Sequence, residues 1–191
     1  MKVFMLPVKI NFDIDLLLKN LKITGKVGIL STVNFLHLLE KIKEKIPNSV
    51  ILGQVVGCNA KNALKENVDN FLFIGSPNFH PQEIAKITKK EVYIANPFTY
   101  KISKINPIKD NTLGKHNKYF NAKNKGILVS SKLGQERLDK ALNLKGNIFL
   151  FNNLPNNELE NYPQIDLWIN TACPRIEGKN IINLNDLPKL K

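Results

Sequence analysis

Hydrophobic and polar positions follow two rhythms along this chain. Lys26 to Ser31 (KVGILS) is a short apolar run containing one glycine, and from Asn34 to Ile46 the residues Phe35, Leu38, Leu39, Ile42 and Ile46 recur at three- and four-residue spacing. The first run reads as a buried strand and the second as one face of an amphipathic helix. Pro47 and Asn48 end that helix, and Val50 to Val56 (VILGQVV) is the next strand. Asn70 to Gly75 (NFLFIG), a helix from Pro81 to Thr88, and Glu91 to Asn96 (EVYIAN) extend the series. Strands alternating with helices require parallel pairing through crossover connections, which defines an α/β architecture.

The pattern then pauses and restarts. From Ser103 to Lys125 the chain is rich in Lys, Asn and turn formers without sustained periodicity, which predicts an interdomain connection. Beyond it, Gly126 to Ser131 (GILVSS) resembles Gly28 to Thr32 (GILST), Glu136 to Leu144 supplies a helix, Asn147 to Asn152 (NIFLFN) answers the Val50 strand, and Ile165 to Asn170 (IDLWIN) answers Val68 to Gly75. The repeated order predicts two similar three-layer α/β units with short parallel sheets, related by duplication, over residues 1–110 and 111–191. Ahead of the first unit, Leu6 to Leu21 reads as an N-terminal arm, or as the remnant of a link to something upstream, in which Asp13 or Asp15 caps a short helix.

Composition changes this picture little. With 191 residues and 43% hydrophobic content the chain can bury a real core. The formal net charge of +12 raises nucleic acid, an anionic membrane surface or an acidic protein as partners. The lysines are spread among Asn and Ile, with no basic stripe interleaved with aromatics, so a dedicated nucleic-acid site is disfavoured. The opening residues lack the length and cleavage site of a signal peptide, and no run is long enough to span a bilayer. A cytoplasmic protein without membrane association is the expectation.

Two cysteines, Cys58 and Cys173, are too few and too distant for a secreted disulfide framework. Each follows a predicted strand, where ligand crevices form in parallel sheets. In GQVVGCN, Gly57 allows a tight turn that brings Cys58 to the strand end, while a buried, inert thiol is the competing reading. In NTACPRI, Pro174 holds Cys173 on a rigid turn, and Arg175 offers a guanidinium fork for a carboxylate; a purely structural turn is the alternative. In GSPNFHP, Ser76 and His80 lie between a strand and a helix, and His80 is a base, a ligand or a capping residue. In SSKLGQ, Ser131, Gly134 and Gln135 lead into a helix N-terminus, a place suited to phosphate or carboxylate. No dinucleotide fingerprint, P-loop, catalytic triad order or zinc spacing is present.

Taken in order, GQVVGCN, VDNFLFIGSPNFHP, the Asn96-Pro97-Phe98 step, SSKLGQERLDKAL and NTACPRI resemble the diphthamide synthesis enzymes in their archaeal form, from about Leu6 to the C-terminus. The resemblance implies three related α/β domains, each giving one cysteine to a 4Fe-4S cluster that uses S-adenosylmethionine. It implies transfer of a 3-amino-3-carboxypropyl group, by a radical route, to a histidine of translation elongation factor 2. On it, Cys58 and Cys173 are the second- and third-domain ligands, Arg175 meets the cofactor's carboxylate, and Ser76, His80, Ser131 and Gln135 line the pocket.

The family's first domain and its cysteine have no counterpart among these residues. A homo-oligomer that pooled four thiolates on four irons would leave no open iron for S-adenosylmethionine, so a separate polypeptide carrying the first domain and third cysteine is the expected partner, beside elongation factor 2. A non-catalytic subunit or remnant that binds the elongation factor or a catalytic partner is the alternative. A basic RNA-binding module ranks third.

Overall fold

The computed structural model describes residues 6, 8–76, 78–108, 112–155 and 157–188, and these divide into two compact units at residues 110/111. In the first unit, helix α1 (Ile14–Leu18) precedes strand β1 (Val27–Ser31), a 3₁₀ turn (Val33–Leu38), helix α2 (Leu39–Glu44), β2 (Ser49–Gln54), β3 (Asn70–Ile74), α3 (Phe79–Thr88), β4 (Val92–Asn96) and β5 (Lys101–Ile105). The sheet order is β2-β1-β3-β4-β5, parallel except for β5, which pairs antiparallel with β4. In the second unit, α4 (Thr112–Asn121), β6 (Lys125–Ser130), α5 (Leu138–Ala141), β7 (Asn147–Phe151), β8 (Leu167–Asn170) and β9 (Ile181–Asn183) form a wholly parallel sheet of order β7-β6-β8-β9. The α/β class and the short, mainly parallel sheets are those predicted from the apolar periodicity.

Side-chain alternation along the strands builds a core on each sheet face. In β3, Phe71 and Phe73 enter a cluster with Ile84 and Ala85 of α3, while Leu72 and Ile74 pack with Phe35, Leu38, Leu39 and Ile42 on the opposite face. In the second unit Ile127, Val129 and Ile169 pack with Tyr119 and Ala141. On the other face Trp168 meets Phe149 and Tyr162 edge-on at 4.8 and 5.8 Å, under residues 154–165 rather than under a full helix.

The registers make the repeat concrete. Gly28 of β1 stands opposite Phe71 of β3, and Gly126 of β6 stands opposite Trp168 of β8. A Cβ on Gly28 would lie 3.0 Å from the Phe71 ring, and one on Gly126 would lie 2.4 Å from the indole of Trp168. In both units a glycine on an interior strand therefore makes room for an aromatic ring on its neighbour.

Several local expectations differ. Residues 103–125 hold most of β5 and all of α4 rather than a bare connection. β5 carries only two apolar side chains, as a lysine-rich edge strand can, and α4 buries only Tyr119, so neither shows a long periodic stripe. The helix read from 34 to 46 is a 3₁₀ turn followed by α2, although every apolar position named for it is buried. The helix read from 136 to 144 is the single turn α5, and β9 escaped sequence reading because three residues carry no period.

Residues 10–21 do not form a detached arm. Leu17 is 1% exposed, and Ile10, Phe12, Ile14, Leu18 and Leu21 pack on the β1/α2 core. Asp13 is the cap, its carboxylate accepting from the Leu16 N–H at 3.0 Å, while Asp15 pairs with Lys45 at 2.6 Å. Asp13→Ala is expected to destabilise the first unit by about 1 kcal/mol in urea unfolding; an unchanged midpoint would show that α1 stands by its apolar contacts alone.

Candidate functional site

The carboxyl ends of the parallel strands carry the residues singled out above. Beyond β2, the Val55 N–H donates to the Ser31 carbonyl at 2.9 Å, continuing the ladder by one bond. Val56 and Asn59 then exchange two backbone hydrogen bonds of 3.2 and 2.8 Å, so Gly57 and Cys58 are the two central residues of a tight hairpin turn. The Cys58 thiol is exposed at its tip. Behind it, the Asn62 amide donates to the Gln54 carbonyl at 2.6 Å, and the Lys61 N–H donates to the Asn59 side chain at 3.3 Å.

Gly57 is required for a reason the sequence did not reveal. A Cβ there would fall 1.7 Å from the nearest carbon of the Phe79 ring, the first residue of α3, so that ring lies directly on the turn. His80 is packed between Phe73 and Phe79, with centroids at 5.9 and 5.8 Å. It is not the helix cap, because Asn78 holds that position. Ser76 is exposed just beyond β3. The Asn96 side chain accepts from the Phe98 N–H at 2.9 Å, closing a turn after β4.

In the second unit, Cys173 follows β8 by three residues and is half-buried. The Ile176 N–H donates to its carbonyl at 3.0 Å, making residues 173–176 one turn with Pro174 at its second position. Pro pre-sets the backbone angle needed there. Arg175, at the third position, is exposed. Cys173 lies five residues beyond Trp168 and Ser76 five beyond Phe71, the two aromatic residues that stand opposite the strand glycines.

Ser131 and Gln135 lie in a turn between β6 and α5. The Ser131 N–H donates to the Phe151 carbonyl at 2.8 Å, the Gln135 N–H donates to the Lys132 carbonyl at 3.0 Å, and Gly134 adopts a φ of 77°. The anion site expected from a free helix N-terminus is not formed, because α5 starts only at Leu138 and its leading N–H is taken by the Glu136 carboxylate at 2.8 Å.

Both thiols are free, and one belongs to each unit. Among the described residues no group of three or more His, Cys, Asp or Glu side chains converges as a metal site. A thiol on a stiff turn at the carboxyl edge of a parallel sheet suits one thiolate bond to an iron-sulfur cluster, which is held by cysteines. The donor chemistry therefore fits such a cluster, with one thiol available in each unit. Among the described residues no helix is long and apolar enough to cross a membrane.

These features define an α/β protein with one presented thiol per unit, and comparison places it. Residues 1–183 match the family described as "Putative diphthamide synthesis protein", and the chain belongs to that family. It is 29% identical over 179 residues to the 2-(3-amino-3-carboxypropyl)histidine synthase of Pyrococcus horikoshii, covering 81% of this chain and 52% of that protein. It is 25% identical over 207 residues to 2-(3-amino-3-carboxypropyl)histidine synthase subunit 1 of Yarrowia lipolytica, covering 92% and 47%. The crystal structure of Dph2 from Pyrococcus horikoshii with a 4Fe-4S cluster superposes with a TM-score of 0.76 at 26% identity, over 93% of this chain and 62% of that one. The chain thus spans about half the length of the relatives it matches.

Proposed function

We propose that residues 1–191 form the second- and third-domain portion of a 2-(3-amino-3-carboxypropyl)histidine synthase, with Cys58 and Cys173 as two thiolate ligands of a 4Fe-4S cluster. The observation that carries this reading is the presentation of one thiol per unit, each on a hydrogen-bonded turn past a strand end. A 4Fe-4S cluster held by Cys58 and Cys173 would supply the electron for reductive cleavage of S-adenosylmethionine, with methylthioadenosine as the leaving group and the 3-amino-3-carboxypropyl group passing by a radical route to a histidine of translation elongation factor 2. The residues of this chain hold and orient. Arg175 pairs its guanidinium with the carboxylate of S-adenosylmethionine, and Ser76 and His80 of the first unit and Ser131 and Gln135 of the second are further contacts for that molecule. The third thiolate comes from a first domain outside residues 1–191, and the work is cytoplasmic. The name "subunit 1" of the Yarrowia relative is in keeping with function in an assembly.

The test is anaerobic reconstitution of this chain with iron and sulfide, alone and with a first-domain protein. Stoichiometric iron, visible charge-transfer absorbance and cleavage of S-adenosylmethionine are expected only in the assembly. Full loading and cleavage by this chain alone would contradict the shared ligand set. An iron-free assembly that still bound elongation factor 2 would identify a non-catalytic subunit instead.

A further inference from the structure

Two asparagines, Asn170 at the head of NTACPRI and Asn183, hold the Cys173 turn. Asn170, the last residue of β8, is 1% exposed. Its side-chain oxygen accepts from the Ala172 N–H at 3.0 Å. Its amide nitrogen donates to the Cys173 carbonyl at 2.8 Å and to the Asn183 side-chain oxygen at 2.6 Å, and lies 3.4 Å from the Ile176 carbonyl. Asn183, the last residue of β9, donates its own amide to the Pro174 carbonyl at 3.2 Å. The carbonyls of residues 173, 174 and 176 are thus all directed at two carboxamides that are bonded to each other.

We infer that Asn170 and Asn183 are positioning residues for the Cys173 thiolate, fixing the backbone from which it reaches the cluster. The inference rests on the cluster reading of Cys173. The chemistry requires an amide at position 170. The groups it meets include both donors and acceptors, and a carboxylate would set oxygen against oxygen at two contacts below 3 Å. Neither serine nor aspartate supplies an acceptor together with two donor hydrogens. The arrangement parallels the outer partners that orient metal ligands elsewhere, whose loss costs about 10–100-fold in metal affinity.

The experiment compares wild type, Asn170→Asp and Asn183→Ala, with two readouts. In the 191-residue chain without iron, alkylation of Cys173 by iodoacetamide is followed by mass spectrometry, with Cys58 in the other unit as internal reference. Both variants are expected to raise the Cys173-to-Cys58 ratio. In the reconstituted assembly, chelator-driven iron release is expected to quicken by about tenfold, with a changed electron paramagnetic resonance spectrum of the reduced cluster. An unchanged alkylation ratio in folded variants, or an unchanged spectrum and release rate in a loaded assembly, would overturn the inference. Should wild type hold no cluster while the alkylation ratio still shifts, the cluster reading fails and the clamp itself stands. If Asn170→Asp fails to fold, as judged by Trp168 fluorescence, Asn183→Ala decides, because it removes only the Pro174 bond and one acceptor.

Discussion

Cys173→Ser and Cys58→Ser, each in the assembly reconstituted with a first-domain protein, are expected to reduce iron and sulfide content and visible absorbance to background. The effect should exceed the roughly 10–100-fold loss that follows from removing an outer partner, because the proposed ligand set makes each thiolate a direct bond to iron. Serine preserves shape and removes the soft sulfur donor. Cys58 is exposed and Cys173 half-buried, so the apo chain should change in stability by less than about 0.5 kcal/mol. That separates ligand loss from unfolding. The double variant should look like either single one, since residues acting as one unit are not additive. Full loading in either folded single variant would remove that cysteine from the ligand set.

Gly57→Ala is expected to have the next largest effect. The new methyl would sit 1.7 Å from the Phe79 ring, far inside contact distance, so ring or turn must move. Overpacking of this kind costs about 1–3 kcal/mol. The displaced turn also carries Cys58, so cluster loading should fall with it. Phe79→Ala relieves the clash, and Gly57→Ala in that background should cost little, giving a coupling of roughly 0.5–3 kcal/mol in urea unfolding. Additive effects of the two substitutions would show that the ring does not rest on the turn.

Arg175 has a smaller and more specific expected effect. Arg175→Lys keeps the charge and loses the fork, so a weakened use of S-adenosylmethionine with unchanged iron content would support its carboxylate role.

The sequence by itself determined the class of fold, because strand burial and helix periodicity are local properties of neighbouring side chains. The runs at 26–31, 70–75 and 147–152 each contain a strand, and the five apolar positions from Phe35 to Ile46 are all buried. Both thiols were legible too, since GQVVGCN and NTACPRI place each cysteine just after an apolar run. What lacked a local signal was left to tertiary structure. β5 and β9 exist because a sheet edge offers hydrogen bonds to short segments with no period of their own. The roles of Gly57 and Asn170 depend on Phe79, 22 residues on, and Asn183, 13 residues on, and no spacing rule connects such pairs. A turn formula predicts that a thiol can be presented. Packing against a ring, and two carboxamides meeting three carbonyls, decide where it is held.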